Sequence, residues 1–321
     1  MIKVGIIGAA GYTAGELIRL LLHHEQVEIA MVQSESQAGK SVTEIHKDLI
    51  GEIDLVFTSE ISGADLDVVF LCKGHGESER ILSTHPELLK LKVVDLSQDF
   101  RLGGDQAFVY GLPELNREKI QAATLVANPG CFATAIQLGL LPAFAEKLVQ
   151  GSVSISGITG STGAGQSLST TSHFSWRSNN ASVYKALTHQ HLREINETLH
   201  HLDPTFSEKV HFVPYRGAFT RGIIISSHFE TGVSQEELIN CYREFYRDDP
   251  FTHVVDVNPD LKMVVNSNKC LVFPQVIEGT AIIISVIDNL LKGASGQAVQ
   301  NLNLMHGWDE TQGLKIKNAV F

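Results

Sequence analysis

The chain has 321 residues, 43% of them hydrophobic, and a formal net charge of -11 at pH 7. This length allows about two domains of ordinary size, each with a full apolar core. The acidic balance and the lack of any basic run in the sequence exclude a nucleic-acid partner, because phosphate binding needs clustered Lys and Arg. An anionic ligand must then be met by a few local cations.

The sequence carries no signal for export or membrane insertion. Its N-terminal apolar stretch is too short for a signal peptide, and the most apolar later run, residues 281–287, has the length of a strand. We therefore expect a cytoplasmic protein with no membrane partner. Cys72, Cys241 and Cys270 lack paired spacing and are predicted to be core residues rather than disulfide partners or zinc ligands.

A glycine-rich turn joins the first predicted strand, residues 3–7, to an amphipathic helix through Leu22. Such a turn lets backbone N–H groups approach the pyrophosphate of a dinucleotide at the helix N-terminus. The spacing is G-x-x-G-x-x-x-G rather than the commoner G-x-G-x-x-G, and the alternative is a plain turn that needs small residues. The residues predicted to bind the cofactor here are Gly8, Gly11, Tyr12 and Thr13.

The segment after the second predicted strand, residues 27–33, indicates which dinucleotide binds. Ser34, Ser36 and Lys40 suit the 2′-phosphate of NADP, whereas an NAD site usually places an acidic residue on the ribose. Glu35 would repel that phosphate if it pointed inward. The sequence favours NADP.

Further strands are predicted around residues 55–57, 67–72 and 93–96, and they alternate with helical segments. This alternation predicts a parallel, doubly wound sheet with ligands at the carboxyl ends of its strands. Gly74 then lies where a nicotinamide would pass, and His75 either contacts ligand or makes a local hydrogen bond. Arg101 is a candidate for binding an anionic substrate, or else forms an ion pair with Asp99 or Asp95 that shapes its loop.

Residues 128–135 read as a tight turn between a short strand and a helix, with Cys131 at the start of the helix. Backbone N–H groups and the helix dipole at this position favour a thiolate over a thiol. A thiolate is a nucleophile for carbonyl carbon, so the stretch predicts acyl chemistry through a thioester. The alternative is a small buried apolar residue that follows a turn.

The composition changes after Pro142 and predicts a second domain of α+β type. Strands around 151–157, 210–213, 223–229, 254–255, 262–265, 270–273 and 280–287 suggest a largely antiparallel sheet, and a last helix follows residue 288. A glycine-rich loop, 157–165, supplies Ser161 and Gly163 as candidate substrate contacts, and we expect the polar stretch 167–180 to lie over the substrate.

His191 and Glu194 lie three residues apart in a predicted helix, so that the carboxylate can orient the imidazole. This pattern favours an acid–base histidine, either His189 or His191, that delivers a proton to a developing oxyanion. The His-x-His spacing also suits zinc, but the sequence offers no ligands at a spacing that completes a site, so no metal is predicted.

Together these segments resemble the N-acyl-gamma-glutamyl-phosphate reductases of arginine biosynthesis. The matching pieces, which follow the family's order over nearly the whole chain, are residues 8–15, 95–102, 110–114, 128–131, 189–191, 220–222 and 288–294. The resemblance implies a Rossmann-type NADP domain, residues 1–129 with 293–321, and a catalytic, substrate and oligomerisation domain, residues 130–292. It also implies a homo-oligomer, a dimer or a tetramer.

The resemblance further implies an activity and the residues that perform it. The activity is the NADPH-dependent reductive dephosphorylation of N-acyl-gamma-glutamyl phosphate to N-acyl-glutamate 5-semialdehyde through a cysteine thioester, with release of inorganic phosphate. Cys131 takes the place of the family's nucleophile and the His189/His191 pair that of its acid–base histidine. Arg221 corresponds to a substrate contact, and Asn289 is expected near the nicotinamide.

Departures from the family's pattern leave alternatives open. Phe132-Ala133 replace a common Tyr-Pro, Glu35 stands where Arg is frequent, and Gly74 replaces a common proline. N-acetyl is the family's usual acyl group, and N-succinyl remains open. The alternatives to this function are an enzyme similar to aspartate-semialdehyde dehydrogenase and a protein that senses NADP without chemistry.

Overall fold

The computed structural model describes residues 1–74, 76–103 and 107–318, so His75 and its predicted role lie outside the described residues. The strands are β1 (Ile2–Ile7), β2 (Val27–Gln33), β3 (Val68–Leu71), β4 (Lys92–Asp95), β5 (Val109–Tyr110), β6 (Leu125–Ala127), β7 (Gln150–Thr159), β8 (Ser182–Val183), β9 (Val210–Arg216), β10 (Ile223–Glu230), β11 (Thr252–Val254), β12 (Cys270–Ile277) and β13 (Thr280–Ile287). The α-helices are α1 (Tyr12–Leu22), α2 (Val42–Ile45), α3 (Glu77–Thr84), α4 (Pro113–Ala122), α5 (Cys131–Ala145), α6 (Phe174–Arg177), α7 (His191–Leu202), α8 (Gln235–Phe245) and α9 (Gly296–Met305).

The described chain divides into two compact units. The first comprises Met1–Gly130 and Ala294–Lys315, and the second comprises Cys131–Gly293 together with the described residues from Ile316 onward. Both boundaries between the units fall one residue later in the chain than the predicted domain boundaries. The units divide after Gly130 and after Gly293, whereas the predicted domains divide after residues 129 and 292. The segment after Lys315, which was predicted to belong to the first domain, clusters with the second.

The first unit contains a parallel six-stranded sheet in the order β2-β1-β3-β4-β6-β5. Val4, Ile6 and Ile7 of β1 and all four residues of β3 are buried, as expected of central parallel strands covered on both faces. The strand order reverses between β1 and β3, and ligands of such sheets bind at the carboxyl ends of the strands at this switch point. The predicted Rossmann-type architecture is confirmed.

The strand predicted around residues 55–57 is wrong. Residues 55–57 form no regular strand: the Phe57 N–H donates to the carbonyl of Lys40 at 2.9 Å, and the Val42 N–H donates to the carbonyl of Leu55 at 2.9 Å. The segment meets the sheet only at the next residue, Thr58, whose N–H donates to the carbonyl of Val32 in β2 at 3.0 Å. Only isolated bridges, such as Ser41 with Val56, result. The third strand of the sheet is β3.

The second unit contains a mixed, mostly antiparallel seven-stranded sheet in the order β11-β12-β13-β10-β7-β9-β8. Only the β11–β12 and β7–β9 pairs within it are parallel. This confirms the predicted α+β class for the second part of the chain.

A strand predicted over residues 262–265 of this unit is also wrong, because Leu261–Met263 forms a 3-10 turn. The side chain of Asp260 accepts a hydrogen bond from the Lys262 N–H at 2.8 Å. A carboxylate that bonds to the backbone two residues ahead stabilises a turn in competition with a strand. This local bond outweighs the apolar pattern of the segment.

Helix α5 forms the centre of the second unit and packs on β10, β13, α7 and α8. It is apolar on all sides and almost entirely buried, as expected of a core helix. Pro142 inside it has no N–H for the carbonyl of Leu138 one turn earlier. The Tyr246 hydroxyl donates to that carbonyl at 2.6 Å, which satisfies the buried acceptor.

No helix among residues 1–74, 76–103 and 107–318 is long and apolar enough to span a membrane.

Candidate active site

Cys131 is the first residue of α5 and is only partly buried. The first turn of this helix contains no acidic side chain that would compete with an anion for its N–H groups. The positive end of a helix dipole stabilises a thiolate. The position of Cys131 is compatible with the predicted nucleophile, and its catalytic role stays a prediction.

The turn that precedes Cys131 is held from within the first unit. The Nε of Arg101 donates to the carbonyl of Asn128 at 2.9 Å, and its Nη2 donates to the carbonyl of Leu96 at 2.9 Å. Asn128 donates to the carbonyl of Ala294 at 3.0 Å and accepts from Asn301 at 3.0 Å. Arg101 thus shapes this turn through main-chain oxygens, and its predicted substrate contact stays a prediction.

Asp99 caps a helix, a role that the sequence did not reveal. Its carboxylate accepts hydrogen bonds from the N–H groups of Gly76 at 2.7 Å, Ser78 at 3.1 Å and Glu79 at 3.3 Å, at the start of α3. A carboxylate at this position satisfies N–H groups that would otherwise be available to an anion. The N-terminus of α3 therefore does not offer a phosphate site, although Gly74 lies just before it.

His189 is a buried residue that organises the start of α7. Its Nδ1 accepts a hydrogen bond from the His191 N–H at 3.3 Å. Its ring packs edge-on against the rings of Phe132, Tyr184 and Phe212 at centroid distances of 5.5, 5.7 and 5.6 Å. Burial, and secondarily the charge of Lys185, lowers the pKa of His189 to about 4. At neutral pH this imidazole is uncharged and holds no proton on the nitrogen that caps the helix.

His191 begins α7, with Glu194 one turn further along the helix. The Nε2 of His191 and the Oε1 of Glu194 are 3.9 Å apart, which is within ion-pair distance but longer than a hydrogen bond. Both side chains are at least nine-tenths buried. The carboxylate of Glu194 can orient the His191 imidazole from this distance, and the choice between His189 and His191 as the acid–base histidine stays a prediction.

Aromatic side chains connect the histidines to the cysteine within the second unit. Phe132, which directly follows Cys131, contacts the His189 ring, and the Tyr184 ring contacts the same imidazole. Burial raises the pKa of Tyr184 to about 12, and the negative charge of a Cys131 thiolate contributes to this rise. Cys131, Tyr184 and the His189/His191 pair therefore lie in one group.

Gly293 is a residue at this site that sequence reasoning missed. A Cβ atom built on Gly293 would lie 2.9 Å from the Cβ of Cys131 and 3.3 Å from the carbonyl oxygen of Asp288. Both contacts are with atoms that cannot rotate away, so only glycine fits. Its place in the segment 288–294, which resembles the family, is the one signal that could have identified it.

Arg221 and Asn289 are tied to neighbours in the second unit. The guanidinium of Arg221 pairs with the fully buried Asp288 at 3.0 Å. The Asn289 amide accepts from the Gly222 N–H at 2.7 Å and donates to Thr162 Oγ1 at 3.1 Å. These bonds give both residues a structural role, and their predicted contacts with substrate and nicotinamide stay predictions.

Ser161 and Gly163 lie in the 3-10 turn Ser161–Ala164, which closely follows β7. The Ser161 N–H donates to the carbonyl of Phe219 at 2.8 Å, so the turn is fixed against the loop before β10. Ser161 is partly exposed. The turn presents polar groups from a fixed backbone, and the substrate contacts of these two residues also stay predictions.

The glycine-rich turn after β1 fits a dinucleotide. Gly8 has φ +84°, and a Cβ there would lie 2.6 Å from the carbonyl oxygen of Cys72, so the close approach of β1 and β3 requires glycine. Gly11 precedes α1 without any side-chain cap, and the first turn of α1 contains no acidic residue. The N–H groups at Tyr12 and Thr13 are therefore available to a pyrophosphate.

His46 supports this turn and was not identified from the sequence. Its Nε2 bonds to the carbonyl of Ala9 at 2.8 Å, and a side chain at Gly15 would strike its ring at 2.6 Å. The glycine at position 15 therefore makes room for a buried histidine. That histidine fixes the backbone near the predicted pyrophosphate site.

The residues predicted to select NADP lie directly after β2. Ser34 is buried, whereas Ser36 and Lys40 are more accessible, and Lys40 Nζ donates to Gln37 at 2.9 Å. Glu35 lies close enough to Arg80 to raise its pKa, although Glu77 is the larger cause. Arg80 is already paired with Glu77 at 2.8 Å, so Glu35 is a weaker neighbour of this cation and its effect on a bound phosphate stays a prediction.

Within the part of the chain that the structure describes, no group of three or more His, Cys, Asp or Glu side chains is arranged to hold a metal ion.

Comparison with known proteins agrees with this arrangement. Residues 3–123 match a family model described as the NAD binding domain of semialdehyde dehydrogenase, and residues 131–289 match one described as its dimerisation domain. A semialdehyde dehydrogenase is the class of enzyme that this fold and site define.

Curated relatives identify one family within the semialdehyde dehydrogenases. The chain is 51% identical to N-acetyl-gamma-glutamyl-phosphate reductase from Parabacteroides distasonis and 52% identical to the one from Bacteroides fragilis, over 100% of each chain. The chain therefore belongs to the N-acetyl-gamma-glutamyl-phosphate reductase family.

Solved structures share the fold at low identity. Aspartate semialdehyde dehydrogenase II from Vibrio cholerae has a TM-score of 0.76 at 17% identity and covers 96% of this chain and 98% of its own. Aspartate semialdehyde dehydrogenase from Candida albicans has a TM-score of 0.70 at 16% identity, over 95% and 98%. At these identities the likeness describes the fold alone.

Proposed function

We propose that the protein reduces N-acyl-gamma-glutamyl phosphate to N-acyl-glutamate 5-semialdehyde with NADPH, as a step of arginine biosynthesis. The names of the relatives support the substrate, and the NAD binding family match supports a nicotinamide cofactor. The observation that carries the chemistry is Cys131 as the first residue of a buried helix, beside the Phe132, Tyr184 and His189 rings and near His191 with its neighbour Glu194.

In this mechanism the Cys131 thiolate attacks the acyl carbon, and the bond to the phosphate oxygen breaks. Inorganic phosphate leaves, and the acyl group remains on sulfur as a thioester. The N–H groups at the start of α5 are suited to donate hydrogen bonds to the oxyanion that forms during the attack. The glycine-rich turn at Gly8 and Gly11 would hold NADPH, which would supply the hydride for reduction of the thioester carbon.

His191 is the proposed acid. It donates a proton to the substrate oxygen, and the Glu194 carboxylate stabilises the imidazolium before the transfer. The neutral His191 imidazole then takes the hydroxyl proton back as the C–S bond of the hemithioacetal breaks, which releases the semialdehyde and regenerates the Cys131 thiolate. His189 is assigned a positioning role, because its capping nitrogen must stay unprotonated to accept the hydrogen bond from His191.

NADP rather than NAD is the proposed cofactor. Ser34, Ser36 and Lys40 supply two hydroxyls and a cation after β2, and the Glu35 carboxylate lies near Arg80. The match of residues 131–289 to a dimerisation domain supports a homo-oligomer, either dimer or tetramer. The cytoplasmic location is retained as part of this proposal.

A second candidate is an enzyme that acts on aspartate semialdehyde, and the observation that favours it is the shared fold of the solved structures. Oxidation rates of N-acetyl-glutamate, N-succinyl-glutamate and aspartate semialdehydes, measured with phosphate and either NADP or NAD, separate the two. We expect activity on an N-acyl-glutamate semialdehyde that exceeds activity on aspartate semialdehyde by at least about a hundredfold, roughly 2.7 kcal/mol of transition-state discrimination.

The thioester is tested with Cys131→Ser, which should lower this rate by at least about a thousandfold. The matched control is Cys241→Ser in the same unit: burial raises the pKa of this thiol to about 11, and its Sγ lies near the carbonyl of Pro142. Near-normal activity of Cys131→Ser would contradict the nucleophile. Tight NADP binding without oxidation of any of the three semialdehydes would support the sensing alternative.

A further inference from the structure

The segment between α6 and β9 brings two arginine side chains together in the second unit. Arg177 is buried and uses its donors on oxygens of this segment: Nε and Nη2 donate to the carbonyl of Thr171 at 3.2 and 3.0 Å, and Nη1 donates to those of Asn180 at 3.2 Å and Arg216 at 2.7 Å. With Nη2 also bound to Ser182 Oγ at 3.2 Å, its hydrogen-bonding capacity is filled. Arg177 therefore fixes the backbone of Arg216.

Arg216 is held beside Tyr184, and its charge and a side-chain hydrogen bond partly oppose the rise in the Tyr184 pKa that burial causes. Its guanidinium lies over the Tyr184 ring at 4.7 Å from the centroid, and its Nη1 makes a long contact of 3.5 Å to Thr171 Oγ1. Its Nε is buried without a hydrogen-bond partner among the described residues. A buried donor without a partner costs free energy, which an incoming acceptor recovers.

The two guanidinium groups repel each other. Burial, and secondarily the charge of Arg216, lowers the pKa of Arg177. Neither side chain forms an ion pair with a carboxylate in the described ranges of the chain. Two like charges without a counter-ion are a site where an anion stabilises the folded protein.

Arg216 lies close to residues that the proposed mechanism uses. Arg216 covers one face of Tyr184, and the same ring contacts His189 at 5.7 Å. Along the sheet, Arg216 pairs with Thr159, just before the turn that holds Ser161 and Gly163. Arg216 thus lies beside both the histidine cluster and the predicted substrate loop.

Arg221, the cation of this unit that the sequence predicted to contact the substrate, is already paired with a carboxylate. It forms an ion pair with the buried Asp288, and loss of that pair would leave an uncompensated carboxylate. On the proposed function, the substrate carries at least one carboxylate in addition to the reacting acyl phosphate. We propose that Arg216, positioned by Arg177 and stacked on Tyr184, binds a carboxylate of the N-acyl-glutamyl substrate and is the residue that selects it.

The proposal rests on the proposed function, and kinetics of Arg216→Gln and Arg216→Lys test it with the N-acetyl and N-succinyl semialdehydes. For Arg216→Gln we expect KM to rise about ten- to a hundredfold with kcat changed less than about twofold, because a charge-assisted bond to a non-reacting group is lost. Arg216→Lys should give an intermediate KM, since it keeps the charge but not the planar fork. The matched control is Arg247→Gln, which removes a 64% exposed guanidinium.

Comparison of the KM changes for the two substrates shows which carboxylate of the substrate binds to Arg216. An equal rise in KM for both identifies the α-carboxylate, and a rise for N-succinyl alone identifies the terminal carboxylate of the acyl group. KM values within about twofold of wild type for both substrates, in either variant, would overturn the inference, as would a loss confined to kcat. A wild-type protein inactive on both semialdehydes would instead overturn the proposed function. If Arg216→Gln does not fold, Arg216→Lys alone decides.

Discussion

At the scale of single residues, two histidines that stand two positions apart have different surroundings. His189 is enclosed by three aromatic rings and accepts a hydrogen bond at Nδ1, whereas His191 faces the carboxylate of Glu194. The first environment disfavours a charged imidazole, and in the second a carboxylate lies 3.9 Å from the imidazole of His191. The sequence pattern predicted the pair, but it could not separate their roles, because the enclosing rings come from distant segments.

The surroundings of His189 predict a pH effect on stability. Because its pKa is about 4 in the folded protein, against an ordinary value of 6.5, the unfolded chain binds the proton more readily between these values. The stabilisation is complete above about pH 6.5 and is lost as the pH falls toward 4. His189→Asn keeps an acceptor for the His191 N–H but does not titrate, so its free energy of unfolding should depend less on pH in this interval.

Urea unfolding at several pH values between 4 and 7 measures this dependence. His228→Asn, at an exposed position on β10, is the matched control and should follow the wild type. A pH dependence of His189→Asn equal to that of the wild type would show that the imidazole protonates as easily in the folded protein as in the unfolded chain.

At the scale of elements, the strands and helices with a clear period were predictable. The bounds of β2 and β13 and the start of α5 follow from the apolar pattern and from turn residues. The errors at 55–57 and 262–265 arise where short apolar runs pair with loops or where an acidic side chain caps a turn. Such competition depends on neighbours that the local sequence does not specify.

Gly293 shows how the turn before α9 limits the space at the start of α5. It lies in the π-helical turn Leu291–Ser295, against the first residue of α5. Gly293→Ala should displace Cys131 by a few tenths of an ångström and lower kcat by about tenfold to a hundredfold, because small errors in placement of a reacting atom are costly. Steady-state kinetics of the semialdehyde oxidation measures the effect.

Gly232→Ala is the matched control for this substitution, since its Cβ would meet only the flexible end of Gln150, at 3.3 Å. Alkylation of Cys131 by iodoacetamide provides a second readout that does not need substrate, and it should slow in Gly293→Ala alone. Unchanged kcat and an unchanged alkylation rate would show that the backbone yields at this point without moving the sulfur.

At the scale of the whole molecule, the proposed chemistry draws on both compact units. The dinucleotide turn belongs to the first unit, and the cysteine, histidine and arginine cluster belongs to the second. The two sheet patterns in the sequence indicated two domains, and the predicted bounds at residues 129 and 293 came from the family resemblance. It did not reveal the Arg177, Tyr184 and Arg216 group, since these residues come together only through β8, β9 and the segment before them.

The preference for NADP over NAD can be measured as the difference in the thermal stabilisation that each cofactor gives to the protein. A ligand at a hundred times its Kd stabilises the folded state by about 2.7 kcal/mol. We expect NADP to raise the thermal unfolding temperature more than NAD does at equal concentration, and Lys40→Gln to remove most of this difference. Lys47→Gln, which removes another cation of the first unit, is the matched control. An equal shift from NAD and NADP in the wild type would count against NADP selection.

The pairing of Arg221 with Asp288 has a consequence for how the second sheet assembles. β10 and β13 pair antiparallel with Ile223 opposite Ile287, so the two charged residues lie just beyond the same end of neighbouring strands. A slip of two positions would keep isoleucines on the same faces, and hydrophobicity alone would scarcely penalise it. It would, however, leave a carboxylate in the interior without its guanidinium. This ion pair therefore selects one strand alignment where a repetitive isoleucine pattern leaves the alignment ambiguous.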